Sequence, residues 1–167
     1  MQYYLAPLEG ITTRIYRRVY HDCFTPMDKY FTPFLSPHLK KGFSAKEKAE
    51  LLPENNQGMH LVPQILTNRA EDFLRTEEKL AYYGYEEINL NLGCPSKTVV
   101  SKGRGSGFLA DLEGLDRFLD EIFSKTKARI SIKTRIGRDE PEEFQRLLEI
   151  YGQAIKYFPK QYKSVAK

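Results

Sequence analysis

The stretch Glu87-Ile88-Asn89-Leu90-Asn91-Leu92-Gly93-Cys94-Pro95-Ser96-Lys97 lies near the middle of the chain. Apolar and polar residues alternate through its first half, a pattern that is typical of a β-strand. Gly93 permits backbone angles that other residues avoid, and Pro95 fixes its own φ at roughly −65°. The sequence therefore predicts a strand that ends in a sharp, rigid turn carrying the thiol of Cys94.

Cys94 has two interpretations. A free cysteine is most often a small buried residue of the core. A thiol between a glycine and a proline at the end of a strand is poorly placed for core packing, so we favour a functional role for Cys94.

Strands and helices alternate on both sides of this stretch. Strands are predicted at residues 3–6, 29–34, 61–66, 87–91 and 129–134. Helices are predicted at residues 13–21, 45–52, 70–82, 112–124 and 141–151, with Ser44 and Asn68 as N-terminal caps. This alternation predicts an α/β fold with a parallel sheet of about five βα units.

Five βα units fit either an open doubly wound sheet or part of a (β/α)8 barrel. The dinucleotide fingerprint GxGxxG is absent after the first strand, where the sequence reads Ala6-Pro7-Leu8-Glu9-Gly10, and this argues against a Rossmann fold. A complete barrel has about 250 residues, whereas this chain has 167. Barrels assemble their active sites at the carboxyl ends of the strands, and distinctive residues lie at those ends here: Pro7, Gln64, Asn91, Cys94, Lys133 and Arg135.

Several of these residues suit a ligand. The amide of Gln64 can both donate and accept hydrogen bonds at the edge of a planar heterocycle, or it can satisfy a loop backbone, and the same alternatives apply to Asn91. Lys133 lies in a strand otherwise fit for burial. Because an unpaired buried ammonium is costly, we expect Lys133 to meet an anionic or electron-rich partner rather than to be exposed on an edge strand. Arg135 serves similarly or faces solvent.

The segment Val100-Ser101-Lys102-Gly103-Arg104-Gly105-Ser106-Gly107 combines glycines with two cations. Mobile backbone amides and positive charge in such a loop favour phosphate or nucleic acid. A solvated connection is an equally good interpretation of the segment alone.

The composition fits one globular unit, with 41% hydrophobic and 29% charged residues and a net charge of +4. The charge permits a polyanionic partner without requiring one. No apolar run approaches the ~20 residues of a membrane span, and the first residues lack the pattern of a signal peptide. Two distant cysteines and three histidines show no metal-ligand spacing, so we predict no metal site, no membrane partner and a reduced, cytoplasmic protein.

Residues 152–167 differ from the rest because they carry four lysines and no acidic residue. We therefore divide the chain into residues 1–151, which form the α/β part, and a basic tail at 152–167.

Taken together, these segments resemble the tRNA-dihydrouridine synthases, flavin-dependent enzymes with a (β/α)8 barrel and a small C-terminal helical domain. The most specific segment is Asn91-Leu92-Gly93-Cys94-Pro95-Ser96-Lys97. The other matching segments are Ala6-Pro7-Leu8-Glu9-Gly10-Ile11-Thr12, Val62-Pro63-Gln64-Ile65-Leu66, Lys102-Gly103-Arg104-Gly105-Ser106-Gly107 and Ile132-Lys133-Thr134-Arg135-Ile136-Gly137. Their order and spacing agree with the family over residues 1 to about 150.

The resemblance implies a mechanism. NADPH would reduce a bound FMN, hydride would pass from the flavin to C6 of a uridine in tRNA, and Cys94 would protonate C5 as the catalytic acid. The residues implied to border the flavin are Pro7, Gln64, Asn91 and Lys133. The residues implied to contact tRNA are Lys97, Lys102, Arg104 and Arg135, the last with the flavin as an alternative partner.

The resemblance ends after the helix at residues 146–151. The family's later His-Gly-Arg, Asn-Gly-Asp-Ile and Gly-Arg-Gly segments and its helical domain have no counterpart in this sequence. We therefore expect an incomplete barrel, arising from truncation, an interrupted gene or a split protein, and completed by self-association or by a second chain. Two alternatives are a flavin barrel acting on free pyrimidines, as in dihydroorotate dehydrogenases, and an inactive half-barrel that binds tRNA or self-associates without turnover.

Overall fold

The computed structural model describes residues 1–38 and 42–155. Strands and helices alternate along the chain, as the sequence predicts. They are β1 (Tyr4–Leu5), α1 (Arg14–Cys23), β2 (Lys29–Phe31), α2 (Ala45–Leu51), β3 (Leu61–Val62), β4 (Gln64–Ile65), α3 (Ala70–Ala81), β5 (Glu87–Leu92), α4 (Lys97–Val100), α5 (Leu112–Lys125), β6 (Arg129–Thr134) and α6 (Phe144–Ile155). Three 3₁₀ helices, Pro53–Asn56, Gly105–Ala110 and Pro141–Glu143, complete the described elements.

The described strands form two three-stranded parallel sheets, and neighbours within each sheet are neighbours in sequence. β2 pairs with β1 and β3, and β5 pairs with β4 and β6. The segments β3 and β4 correspond to one predicted strand that is interrupted at Pro63, which has no N–H to donate to a ladder. The carbonyl of Pro63 still accepts the N–H of Asn89 at 2.8 Å, so the strand order runs through this segment without reversal. The prediction of an α/β fold with a parallel sheet is confirmed.

Most of the predicted elements lie where the sequence places them. The fifth predicted strand is β6, with the predicted bounds. Ser44 caps α2 through a capping box with Glu47, as expected for a serine three residues before a glutamate. The predicted second strand ends early, at Phe31, because Pro33 follows, although Leu35 still forms a parallel bridge with Ile65.

The two faces of the sheet differ in polarity because side chains alternate along each strand. On one face Ile88, Leu90 and Leu92 of β5 are fully buried in the main apolar cluster, together with residues of α3 and α5 such as Phe73 and Leu119. The other face, called the polar face below, carries side chains that the strand register places side by side: Gln64, Asn89, Asn91, Ser131 and Lys133.

No helix in 1–38 and 42–155 combines the length and apolarity required to cross a bilayer. The same residues contain no group of three or more His, Cys, Asp or Glu side chains that could hold a metal ion. The predicted tail at 152–167 lies outside the described residues from residue 156 onward, so the division at 151 stays a prediction.

Candidate active site

Four side chains form a continuous chain of hydrogen bonds across the polar face. Asn91 Nδ2 donates to Gln64 Oε1 at 2.8 Å, and Gln64 Nε2 donates to Asn89 Oδ1 at 2.7 Å. Asn89 Nδ2 in turn donates to Ser131 Oγ at 3.0 Å. The three amides are only 1–5% exposed, and buried polar groups of this kind are stable only when they are hydrogen-bonded. The structure thus brings the predicted candidates Gln64 and Asn91 into direct contact.

The turn after β5 is held by contacts to its backbone. Asn91 Oδ1 accepts the N–H groups of Gly93 and Cys94 at 3.1 and 3.0 Å. The backbone N–H and the hydroxyl of Ser106 both donate to the carbonyl of Cys94 at 3.0 Å. The thiol belongs to a free, half-buried cysteine. The turn therefore fixes the backbone of Cys94 and leaves its side chain partly accessible.

Around the Cys94 turn, the glycines with left-handed backbone conformations lie in the glycine-rich loop and not at Gly93, where the sequence suggests an unusual backbone. Gly93 does not adopt a positive φ, whereas Gly103 and Gly105 have φ of +62° and +57°. A Cβ on Gly105 would lie 2.7 Å from the carbonyl oxygen of Cys94, well inside van der Waals contact. The glycine requirement therefore lies in the loop that folds back onto Cys94, because backbone meets backbone there.

Four backbone amides of this glycine-rich loop have acceptors within the protein, so they are not free for a ligand as the sequence suggests. The N–H groups of Gly103, Arg104, Ser106 and Gly107 all donate to carbonyls of the chain at 2.9–3.2 Å. Asn68, predicted to cap α3, instead donates from Nδ2 to the carbonyl of Lys102 at 3.1 Å, and the N-terminal cap of α3 is Arg69. Phosphate binding by this loop would therefore draw less on these four amides than on the side chains of Lys102 and Arg104.

The environment of Lys133 differs from the expectation that this residue is buried. It lies opposite Asn91 in the register of β5 and β6, but it is exposed rather than buried. The reason is that β6 pairs with β5 alone among the described residues, so solvent reaches this side of the polar face. Its ammonium therefore has no burial cost to offset.

The other predicted cations lie around the Cys94 turn. Lys97 begins α4 and is exposed, Lys102 is exposed, and Arg104 is half-buried. Arg135 is exposed and donates from Nε to the carbonyl of Gly93 at 3.2 Å. This bond makes Arg135 part of the turn itself and leaves its terminal nitrogens for a further partner.

Pro7 is half-buried in the loop after β1. Gln64 lies on β4, in the other three-stranded sheet, so Pro7 and Gln64 do not follow or lie on neighbouring strands. Thr12 closes this loop, since its Oγ1 accepts the N–H of Leu8 at 2.8 Å. The carbonyl of Thr12 in turn accepts a hydrogen bond from the buried Arg17 at 3.0 Å.

Sequence analysis missed four residues of this region: Asn89, Ser131, Ser106 and Arg17. Asn89 was detectable, because it alternates with Asn91 and must share its face. Arg17 gave no signal, since a basic residue on a surface helix is normally exposed.

The sequence profile described as "Dihydrouridine synthase (Dus)" matches residues 4–155, which include the polar face and the Cys94 turn. The chain belongs to the dihydrouridine synthase family. The resemblance stated from the sequence motifs is confirmed.

Relatives of this family member include a "Probable tRNA-dihydrouridine synthase" of Staphylococcus aureus (strain COL), 32% identical over 151 residues. A protein of the same description from Staphylococcus epidermidis (strain ATCC 12228 / FDA PCI 1200) is 30% identical. The "Probable tRNA-dihydrouridine synthase 2" of Bacillus subtilis (strain 168) is 26% identical over 148 residues. These matches cover 86–87% of this chain but only 44% of each relative, so the chain spans less than half the length of these relatives.

Proposed function

We propose that this chain acts in the reduction of the C5–C6 double bond of a uridine in tRNA, with Cys94 as general acid. The observation that carries the proposal is the Cys94 turn. Asn91 accepts the backbone N–H of Cys94, whose thiol stays partly accessible, and the same Asn91 donates to Gln64 on the polar face. Family membership and the printed names of the relatives support the substrate class.

We propose further that the strands belong to a (β/α)8 barrel, of which this chain supplies about five βα units. The support is the strand order, which follows the sequence without reversal. A doubly wound sheet reverses its order at a switch point, whereas a barrel does not. Completion of the barrel by a second copy or another chain stays a prediction of the sequence.

The residues of the polar face fit the chemistry of FMN. Gln64 and Asn91 each use one N–H of their amide nitrogen within the chain of hydrogen bonds, so each retains a second N–H for a carbonyl or ring nitrogen. Lys133, beside Asn91, offers an accessible positive charge. Pro7, Gln64, Asn91 and Lys133 would hold the isoalloxazine, and FMN reduced by NADPH supplies the hydride when bound.

Cys94 would donate a proton to C5 of the uracil. A thiol carries one S–H proton that it can donate in this step. The bonds from Asn91 and Ser106 hold the backbone of Cys94, which limits the positions that the thiol can reach. A positioned general acid typically contributes about 10²–10⁴-fold to the rate.

The tRNA would be held through its phosphates. The candidate contacts are the cations around the turn: Lys97, Lys102, Arg104 and Arg135. A uridine must leave its stack to reach the polar face, at a cost of a few kcal/mol, which favours loop uridines. A tRNA substrate and a reduced thiol both agree with action in the cytoplasm.

The test compares Cys94→Ala with Cys23→Ala, the other free cysteine, which is exposed at the end of α1. Each 167-residue protein is incubated with FMN, NADPH and tRNA that lacks dihydrouridine, and dihydrouridine is measured by mass spectrometry of nucleosides. We expect formation to fall by about 10²–10⁴-fold in Cys94→Ala only, with oxidation of NADPH by the flavin retained. Equal turnover in both variants would remove Cys94 from the mechanism. Binding of tRNA without any product from the unaltered chain would refute the enzymatic proposal for this chain.

A further inference from the structure

The hydrogen bonds across the polar face have a single possible direction. A backbone N–H can only donate, so the atom of Asn91 that faces the N–H groups of Gly93 and Cys94 must be Oδ1. Asn91 Nδ2 is therefore directed to Gln64, and the atom of Gln64 that receives it must be Oε1. The backbone of the turn thus determines the orientation of an amide on the neighbouring strand.

Asn89 receives the other end of the Gln64 amide. Its Oδ1 accepts Gln64 Nε2 at 2.7 Å, the shortest of the three side-chain hydrogen bonds on the polar face, and its own Nδ2 donates to Ser131 Oγ. Asn89 is 3% exposed, so water does not readily replace it. Without this acceptor, one buried N–H of Gln64 would lose its partner, and the bond from Asn91 alone would restrain its amide.

We propose that Asn89 is a positioning residue that fixes the side-chain amide of Gln64 and keeps an N–H donor available to the ligand. With this orientation, the free hydrogen-bonding atoms of Gln64 and Asn91 include two N–H groups, which select a ring edge carrying carbonyl oxygen or unprotonated nitrogen. A rotated Gln64 would present a carbonyl in place of a donor. The ligand part of this inference rests on the proposed function, whereas the positioning part concerns the chain alone.

The positioning part is tested without any ligand by NMR of the ¹⁵N-labelled protein. The side-chain NH₂ signals of Gln64 are assigned by their loss in Gln64→Leu. We expect them to be dispersed and slow to exchange in the unaltered chain. In Asn89→Leu the chemical shifts of the two NH₂ protons should move toward those of a freely rotating amide. Their exchange with solvent should be at least about tenfold faster, as expected for a lost buried hydrogen bond.

Two further variants make this test specific. Asn89→Asp keeps an oxygen that can accept Gln64 Nε2, so it should retain the Gln64 signals. Asn55→Leu is the matched control, because Asn55 also donates one side-chain hydrogen bond, to the carbonyl of Ala49, but lies outside the polar face. Unchanged Gln64 signals in Asn89→Leu, or equal loss in Asn89→Asp, would overturn the proposal. If Asn89→Leu does not fold, Asn89→Ala is compared with Asn89→Asp by the same criterion.

The ligand part is tested by titrating FMN and following the quenching of its fluorescence. We expect the Kd to rise about tenfold in Asn89→Leu and to stay unchanged in Asn55→Leu. In a Gln64→Leu background, Asn89→Leu should add nothing, because Asn89 acts through Gln64. If Asn89→Leu weakens FMN binding by the same factor in that background, Asn89 has a merely structural role. If the unaltered chain does not bind FMN, the proposed function and the ligand part both fail, while the NMR comparison still decides the positioning part.

Discussion

Replacing Arg17 with methionine should destabilise this protein far more than the same change at Arg18, its neighbour on α1. The guanidinium of Arg17 is fully buried. Its Nη1 donates to the carbonyl of Thr12 and to Glu50 Oε2 at 3.0 and 2.9 Å, and its Nη2 donates to the carbonyl of Glu50 and to Asn56 Oδ1. Burial lowers the pKa of Arg17 from its ordinary value, and the Glu50 carboxylate opposes that shift.

The magnitude follows from what the substitution leaves behind. In Arg17→Met the carboxylate of Glu50, a residue that is 6% exposed, stays buried without its cation. Removing one partner of a buried ion pair costs about 3–5 kcal/mol, a large share of the roughly 5–15 kcal/mol that stabilises a domain. At about 2–4 °C per kcal/mol for a chain of this size, the melting temperature should fall by roughly 6–20 °C. Arg18 pairs with Asp22 on the surface, and such a pair contributes only about 0–1 kcal/mol.

Thermal unfolding followed by circular dichroism at pH 7 measures both variants. Adding Glu50→Leu to Arg17→Met removes both charges and should restore part of the loss, because no unpaired carboxylate then remains buried. Equal melting temperatures for Arg17→Met and Arg18→Met would refute the reasoning.

Three further predictions follow from other parts of the structure. Gly105→Ala should cost about 1–3 kcal/mol more than Gly10→Ala, since both have positive φ but only at Gly105 would the Cβ meet the carbonyl of Cys94; equal urea midpoints would contradict this. Burial raises the pKa of Tyr85 to about 12, so the stability linked to its hydroxyl is complete below its ordinary pKa of 10.0 and is lost as the pH rises toward 12. Tyr85→Phe, which also loses the bond to the carbonyl of Leu51, should be about 1 kcal/mol less stable at pH 7 and show a flatter decline above pH ~10 in urea unfolding; an unchanged slope would exclude this role. Changing Lys97, Lys102 and Arg104 together to glutamine should lower the slope of log K for tRNA against log salt by about 2–3 without changing FMN affinity. An unchanged slope would exclude phosphate contacts by these three cations.

The elements with strong local patterns could be predicted from the sequence. β5 and β6 alternate apolar and polar residues, and the bounds of β6 agree with the prediction. The helix α2 was found from its capping serine. The predicted N-terminal cap of α3, Asn68, was wrong because its side chain donates to the carbonyl of Lys102 instead. That partner is 34 residues away in the sequence and leaves no local signal.

The sequence names several residues of the candidate site, but it does not reveal their contacts. The expected burial of Lys133 assumed a strand with neighbours on both sides, whereas β6 has one neighbour in the described residues. The role of Gly105 depends on the close approach of two backbones eleven residues apart, which composition alone does not reveal. The direction of the amide hydrogen bonds also depends on three-dimensional contacts, since an isolated amide has no preferred orientation.

Asn91 links the two parts of the site that the proposed chemistry must hold together. Its Oδ1 accepts the backbone N–H of Cys94, and its Nδ2 donates to Gln64, so the proposed acid and the proposed flavin-facing edge share one side chain. A reaction that delivers hydride to one carbon and a proton to the next depends on the relative placement of these two groups. Ser106 and Arg135 donate only to carbonyls of the turn, so neither of them joins the turn to the strand that carries Gln64. The strand that carries Asn91 therefore determines the geometry of the site, and the glycine-rich loop supports it from the other side.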